Sequence, residues 1–303
     1  MPSLGLLSSL LSTLTSTTPS SSSSSSSTTH SLIGTGPYAP TTSTSPALPR
    51  HLIYQPTTLS TMYGPDANDS IPVIIWANNA CTKTTDPYAK LNSELASWGM
   101  LVLACGPSSS ALAALDKYAG VEGSDWASIE KDGVGMLGTS CGGAGVYAAA
   151  NDSRVLSLGI LDSGVGTGAG KGVSNSGSAG GREQDTTSLA KSATKPVFYF
   201  QTSPLYISGT KDAVSGTQEI SPVEKYFNAV AKGVPAWYGV LPGSDVQTLS
   251  EGSAGKLGRA VRFWAMWMVG GQQQDAKAFF VDARGAESEG WTVVRKGMGV
   301  LSV

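Results

Sequence analysis

Val134-Gly135-Met136-Leu137-Gly138-Thr139-Ser140-Cys141-Gly142-Gly143-Ala144-Gly145-Val146 is the stretch that decides the fold. An apolar run, Val134 to Leu137, leads into G-x-S-x-G, and a small-residue helix is predicted from Ala144 to Ala150. In a strand–turn–helix setting this pattern carries a serine hydroxyl on a tight bend at the carboxyl end of a strand, exposed to a ligand. A serine attacks an acyl carbon only when a neighbouring base takes its proton, and the usual base is imidazole. The chain has 2 histidines, His30 and His51, both far upstream of the turn. The architecture is therefore plainly written and the chemistry is not.

Outward from the turn, short apolar runs alternate with helical periodicity. Ile71 to Trp76 is a continuous β-branched run of the kind buried on both faces of a parallel sheet. Asp86-Pro87 offers an N-cap and a first-turn proline, and Leu91, Leu95 and Trp98 recur at helical spacing before Gly99. This predicts a helix over Pro87 to Trp98. Met100 to Ala104 is the next strand and Ser110 to Tyr118 the next helix, followed by a second short helix around Trp126 to Ile129. Beyond the turn, strands are predicted at Val155 to Leu161, Pro196 to Gln201 and Ala236 to Val240, with a helix from Val223 to Ala231 before the last. Leu257, Val261, Trp264, Trp267 and Met268 fall on one side of a helix over Leu257 to Met268, a core-facing stripe. Strands separated by helices predict an α/β protein built on a single doubly wound, mostly parallel sheet with right-handed crossovers.

The first part of the chain differs from the rest. Ser20 to Ser27 is unbroken serine with threonines on both sides, so residues 1–48 are expected to form a disordered Ser/Thr-rich tail and residues 49–303 one domain. A net charge of −2 with no basic cluster excludes a nucleic-acid surface. No apolar stretch reaches the roughly 20 residues that a bilayer span requires. Leu4 to Leu14 lacks a preceding Lys or Arg and a small-x-small cleavage site, which weakens a secretory reading. Three cysteines are too few for a disulfide framework and fit a reduced compartment better. Asn68-Asp69-Ser70 and Asn151-Asp152-Ser153 gain meaning as glycan acceptors only if the chain is secreted. Gly164 to Gly181 reads as a glycine- and serine-rich loop where this architecture often inserts a lid. The segment from Gly164 to Gly172 is not a phosphate loop, because Val165 stands where glycine is needed and Gly172 where Ser or Thr is needed. No cofactor is expected.

With these pieces in order the chain resembles the α/β-hydrolase superfamily, and more narrowly fungal esterase-like hydrolases. The resemblance is carried by Ile74-Ile75-Trp76-Ala77-Asn78-Asn79-Ala80-Cys81, by the turn Gly138 to Gly143, and by Phe263-Trp264-Ala265-Met266-Trp267 leading to Trp291-Thr292-Val293. It spans the chain from about Pro37 to the end. It implies that Ser140 is the nucleophile and that the backbone N–H groups of Cys141 and of Asn79 or Ala80 hold the oxyanion. The family's histidine follows the last strand, where this chain reads Leu241-Pro242-Gly243-Ser244-Asp245 and has no imidazole. Its acid follows the strand Pro196 to Gln201, where Ser203, Pro204 and Leu205 stand and the first carboxylate is Asp212; Asp162, ending the preceding strand, is the other position. Loss of the histidine alone costs on the order of 10⁶ in kcat in serine hydrolases, leaving roughly 10³–10⁴ over water. Asp245 is a weak substitute base, with a carboxylate pKa of about 3.9 against about 6.5 for imidazole, unless burial raises it.

Each candidate has a plainer reading beside the functional one. Ser140 is either a nucleophile or hydrogen-bond donor facing a pocket, or an unreactive residue on an inherited bend. Cys81, Cys105 and Cys141 all fall at carboxyl ends of predicted strands, where ligands bind in open parallel sheets. They read more simply as small apolar residues than as a thiol or metal site, and zinc wants more ligands. Asp162 and Asp212 are acids of a residual dyad or caps of the following turns; Asp212, in Gly209-Thr210-Lys211-Asp212, reads as a cap. Trp76, Trp98, Trp264 and Trp267 read as core. The expected function is an esterase-like protein whose ordinary hydrolysis is weak or lost, acting on a small ester. The alternatives are a repurposed cyclase, isomerase or lyase working on a small metabolite, and a non-catalytic ligand-binding protein.

Overall fold

In the computed structural model, residues 32–59, 71–77, 88–124, 126–139, 142–162, 186–202, 222–244, 251–271, 274–282 and 284–301 are described. The chain runs through strands β1 (Pro40–Ser45), β2 (Leu48–Pro56) and β3 (Ile71–Ala77), helix α1 (Ala89–Ser97), β4 (Leu101–Ala104) and α2 (Ser108–Tyr118). Next come β5 (Ile129–Thr139), α3 (Gly142–Ala149), β6 (Val155–Leu161), α4 (Thr186–Ser192), β7 (Val197–Thr202), α5 (Pro222–Ala229) and β8 (Ala236–Leu241). Helices α6 (Gly255–Met268), α7 (Gln274–Val281) and α8 (Gly285–Ser288) and strand β9 (Thr292–Lys296) complete it.

The nine strands form one mixed sheet in the order β1-β2-β4-β3-β5-β6-β7-β8-β9. The mostly parallel sheet expected from the alternation is present from β4 to β8, where every neighbouring pair is parallel. The antiparallel pairs lie at the margins: β1 with β2, β2 with β4, and β8 with β9. Both faces are covered, which is why the central strands are apolar throughout. Successive strand residues point to opposite faces, so Val73 and Ile75 join one apolar layer with α2, α3, α4 and α5, while Ile74 and Trp76 join the other with α1, α6 and α7.

Trp264 organises the second layer. The edge of its indole reaches the sheet where Gly135 and Gly159 have no side chain; a Cβ on Gly135 would come within 3.1 Å of the ring and one on Gly159 within 3.2 Å. Its N–H donates to Ser157 Oγ at 2.9 Å, satisfying a polar group that would otherwise be stranded in the core. Of the stripe read on this helix, Leu257, Val261, Trp264 and Trp267 are buried and Met268 is half-buried against the same layer. Trp98 departs from the core reading. It is half-buried, with the Arg262 guanidinium 4.2 Å above its ring.

Three corrections concern segments without strong periodicity. Residues 32–48, assigned to a disordered tail, are structured: β1 pairs with β2, and the preceding segment is docked on α1. Thr35 donates from its backbone N and its hydroxyl to Glu94 at 2.8 and 2.6 Å, and Gly36 N donates to Ser97 Oγ at 3.0 Å. Threonine suits a pleated edge, and the polarity of Thr41-Thr42-Ser43-Thr44-Ser45 hides this. Residues 1–31 lie outside the described part. The short helix expected around Trp126 to Ile129 is instead a run of turns leading into β5. Tyr88, not Asp86, is the N-cap residue of α1; Asp86 and Pro87 lie outside the described residues.

Candidate functional site

Strand β5 ends at Thr139 and α3 begins at Gly142, so two residues, 140 and 141, link them. So tight a junction needs glycine on its inner side. A Cβ on Gly138 would fall 2.7 Å from the Gly142 carbonyl oxygen and 2.7 Å from Val146 Cγ2. The register places this junction mid-sheet: Ala77 pairs with Gly138, Gly138 with Ile160, and Thr139 with Leu161. From β3 the chain moves to β4 on one side, then returns to β5 and continues to β6, β7 and β8 on the other. Ligands of open α/β sheets bind in the crevice at the carboxyl ends where the order reverses in this way.

One candidate, Asp162, is placed by the described residues at this edge. It directly follows Leu161, the register partner of Thr139, just as Ser140 directly follows Thr139. Its carboxylate is clamped by the end of β7, accepting the Thr202 backbone N–H at 2.7 Å and the Thr202 hydroxyl at 2.8 Å. Its own N–H donates to Phe200 O at 3.0 Å. Its φ is 39°, a left-handed conformation that aspartate tolerates better than most residues and that clusters at functional sites. Burial lifts the Asp162 carboxyl above the ordinary aspartate range, against the two Thr202 hydrogen bonds that pull it down.

Tyr88, which the sequence reading passed over, is the second group at this edge. Its ring packs on Trp76 with centroids 4.9 Å apart and planes at 37°. A side-chain hydrogen bond joins its phenol to Thr139, and the Asp162 carboxylate acts on it electrostatically. Burial is the largest influence and raises the phenol above the ordinary tyrosine value, the Thr139 bond opposes it, and Asp162 adds to the rise. Tyr88 and Thr202 carry no motif and Thr139 is the variable residue before the serine of G-x-S-x-G, so only their positions at element ends signal them.

The other sequence candidates, Ser140, Cys141, Asn79, Ala80, Asp212 and Asp245, lie outside the described residues, as do His30, Cys81 and the loop Gly164 to Gly181. Cys105 follows β4 with φ 74°, a second left-handed non-glycine residue at the carboxyl edge.

His51 is within β2, three strands from β5. Between β2 and β5 lie β4 and β3, and three strand spacings amount to about 14 Å. Its ring is 4 % exposed and packs on Gly106, where a Cβ would fall 2.0 Å from Cε1. Burial draws its pKa below the ordinary histidine value, opposed by the Pro107 backbone and reinforced by Arg50. It is a packed core histidine.

Among the described residues, no group of three or more His, Cys, Asp and Glu side chains could hold a metal ion, and no helix is long and apolar enough to cross a membrane. No protein-family model matches the chain, and no curated protein matches it.

Proposed function

We propose that the chain is a hydrolase-fold protein of esterase-like descent whose carboxyl edge now performs proton transfer on a small metabolite, as a cyclase, isomerase or lyase. Support for the superfamily comes from the two-residue link between β5 and α3 at G-x-S-x-G, in mid-sheet. Doubly wound packing is supported by apolar layers with helices on both faces.

The observation that carries the chemistry is the contrast between Asp162 and His51. Asp162, clamped by Thr202, directly follows Leu161, the register partner of Thr139, while the imidazole on β2 is three strand spacings, about 14 Å, from β5. A base must come within about 2.6–3.2 Å of the proton it takes. This supports Asp162 over His51 as the group that does proton work at this edge. Preorganised donors and a shaped pocket suffice for such reactions without an acyl-enzyme.

Labelling with a fluorophosphonate tests this against retained ester hydrolysis. The full-length protein at neutral pH is expected to remain unlabelled at Ser140. Stoichiometric labelling, lost in Ser140→Ala, would establish an activated serine and reverse the reading.

A further inference from the structure

We propose that the groove between α6 and α7 is a binding site for a free α-amino acid with an apolar side chain, its carboxylate on Arg262 and its ammonium on Asp275. The groove holds about 660 Å³, within the ordinary range for small-molecule sites. Neither Asp162 nor Tyr88 lines it, so it is separate from the carboxyl edge of the sheet.

Helical spacing builds its walls. Arg259, Arg262, Phe263 and Met266 recur at i, i+3, i+4 and i+7 on α6, and Asp275, Phe279 and Asp282 at i, i+4 and i+7 along and just past α7; all of them line the groove. The Phe263 and Phe279 rings meet between the two helices with centroids 5.3 Å apart. Arg262 is the buried polar group here, 9 % exposed, its guanidinium 4.2 Å from the Trp98 ring centre and 5.0 Å from that of Phe263. Both of its hydrogen bonds, to Glu94 at 2.8 Å and to Thr35 at 3.0 Å, leave from Nη1, and Nε is buried without a partner among the described residues. That leaves the Nε–Nη2 edge of the fork, whose parallel N–H groups match a carboxylate. A buried donor left unpaired is costly, so this edge calls for an acceptor from outside the chain.

The charge pattern sets the rest of the ligand. Three arginines and three carboxylates line the groove, and Glu94 already offsets Arg262 from within the core. A simple anion would therefore meet no net positive charge, whereas a zwitterion meets both signs. Arg259 is paired with Glu289 at 3.1 Å, and Asp282 stands next but one to Arg284. Asp275 lies toward the end where α6 and α7 are linked, the end of Met266, and has no ion-pair partner among the described residues. It is thus the seat for the ammonium. Phe263, Met266 and Phe279 receive the side chain, and apolar contact with rings and thioether supplies the affinity that exposed charges alone do not.

Isothermal titration calorimetry of the full-length protein with L-phenylalanine, 3-phenylpropionate and phenethylamine tests the proposal. L-phenylalanine is expected to bind saturably at a single site. Each analogue lacks one of the two charges and should bind about 10-fold more weakly or worse, the loss of one charge-assisted contact. Arg262→Lys keeps a cation for Glu94 but deletes the fork, and Asp275→Asn alters an exposed residue without a described partner. Each should weaken L-phenylalanine by a similar factor. Heats no larger than those of dilution overturn the proposal. An analogue that binds as tightly as L-phenylalanine overturns the seat assigned to the charge it lacks. Undiminished binding in Asp275→Asn overturns the assignment of the groove, whether or not Arg262→Lys folds.

Discussion

Glu94→Leu is expected to cost about 3–5 kcal/mol of stability, the loss typical of removing one partner from a buried ion pair. Glu94 is 1 % exposed, and its carboxylate accepts Arg262 Nη1 at 2.8 Å, the Thr35 hydroxyl at 2.6 Å, Thr35 N at 2.8 Å and Trp98 Nε1 at 3.1 Å. Leucine would leave a buried guanidinium without its counter-charge and several donors without an acceptor. It would also release the segment around Thr35 from α1. In a domain of this size the midpoint of thermal unfolding should fall by roughly 10 °C. Paired replacement of Glu94 by Leu and Arg262 by Met should recover much of the loss, since an apolar pair of similar volume needs no compensation. A calorimetric scan of the single and double variants reads this directly. A single variant as stable as wild type would mean that the network is incidental.

Trp264→Ala is expected to destabilise by about 3–5 kcal/mol, through lost burial and the cavity left behind. The damage should be at the upper end because the site cannot collapse: the indole edge meets Gly135 and Gly159, whose backbone is held in the β3/β5/β6 ladder. Trp264→Phe should cost less, about 1–2 kcal/mol, losing chiefly volume and the hydrogen bond to Ser157 Oγ. Ser157 retains Pro196 O, to which its hydroxyl donates at 3.1 Å, so the serine is not stranded. Denaturant titration separates the two variants. Equal losses would show that the ring's fit on the glycines is not what stabilises this layer.

Legibility followed burial. β6 is legible at its observed limits, Val155 to Leu161, and α6 nearly so, because nearly all buried positions are apolar, Ser157 and Arg262 excepted. β1 is not legible because an edge strand of threonine and serine has no apolar face to show; its order derives from pairing with β2, and that of the segment before it from the bonds of Thr35 to Glu94. β9 was missed for a related reason: its half-exposed residues, Thr292 to Lys296, alternate only weakly. At the site, Asp162 was legible as a carboxylate ending a strand. Tyr88 and Thr202 were not, since what singles them out is the convergence of the ends of β3, β5, β6 and β7, and that convergence depends on strand order. The distance of His51 from the serine turn was illegible for the same reason. β2 turns antiparallel at one margin, and nothing local to residue 51 reports how many strands intervene.

The raised Asp162 carboxyl also sets a direction for stability against pH. Where the folded group holds its proton more tightly than the unfolded one, the native state binds more protons, and stability falls as pH rises from the ordinary aspartate value of 3.8 through the raised native one. Asp162→Asn should remove that fall. The most direct measurement is a ¹³C NMR titration of the Asp162 carboxyl in the full-length protein, assigned by its loss in Asp162→Asn. The expected midpoint lies above 3.8, and higher still in Thr202→Val, which deletes the hydroxyl donor to the carboxylate. A midpoint at or below the ordinary value would contradict a buried, basic carboxylate at the carboxyl edge of the sheet.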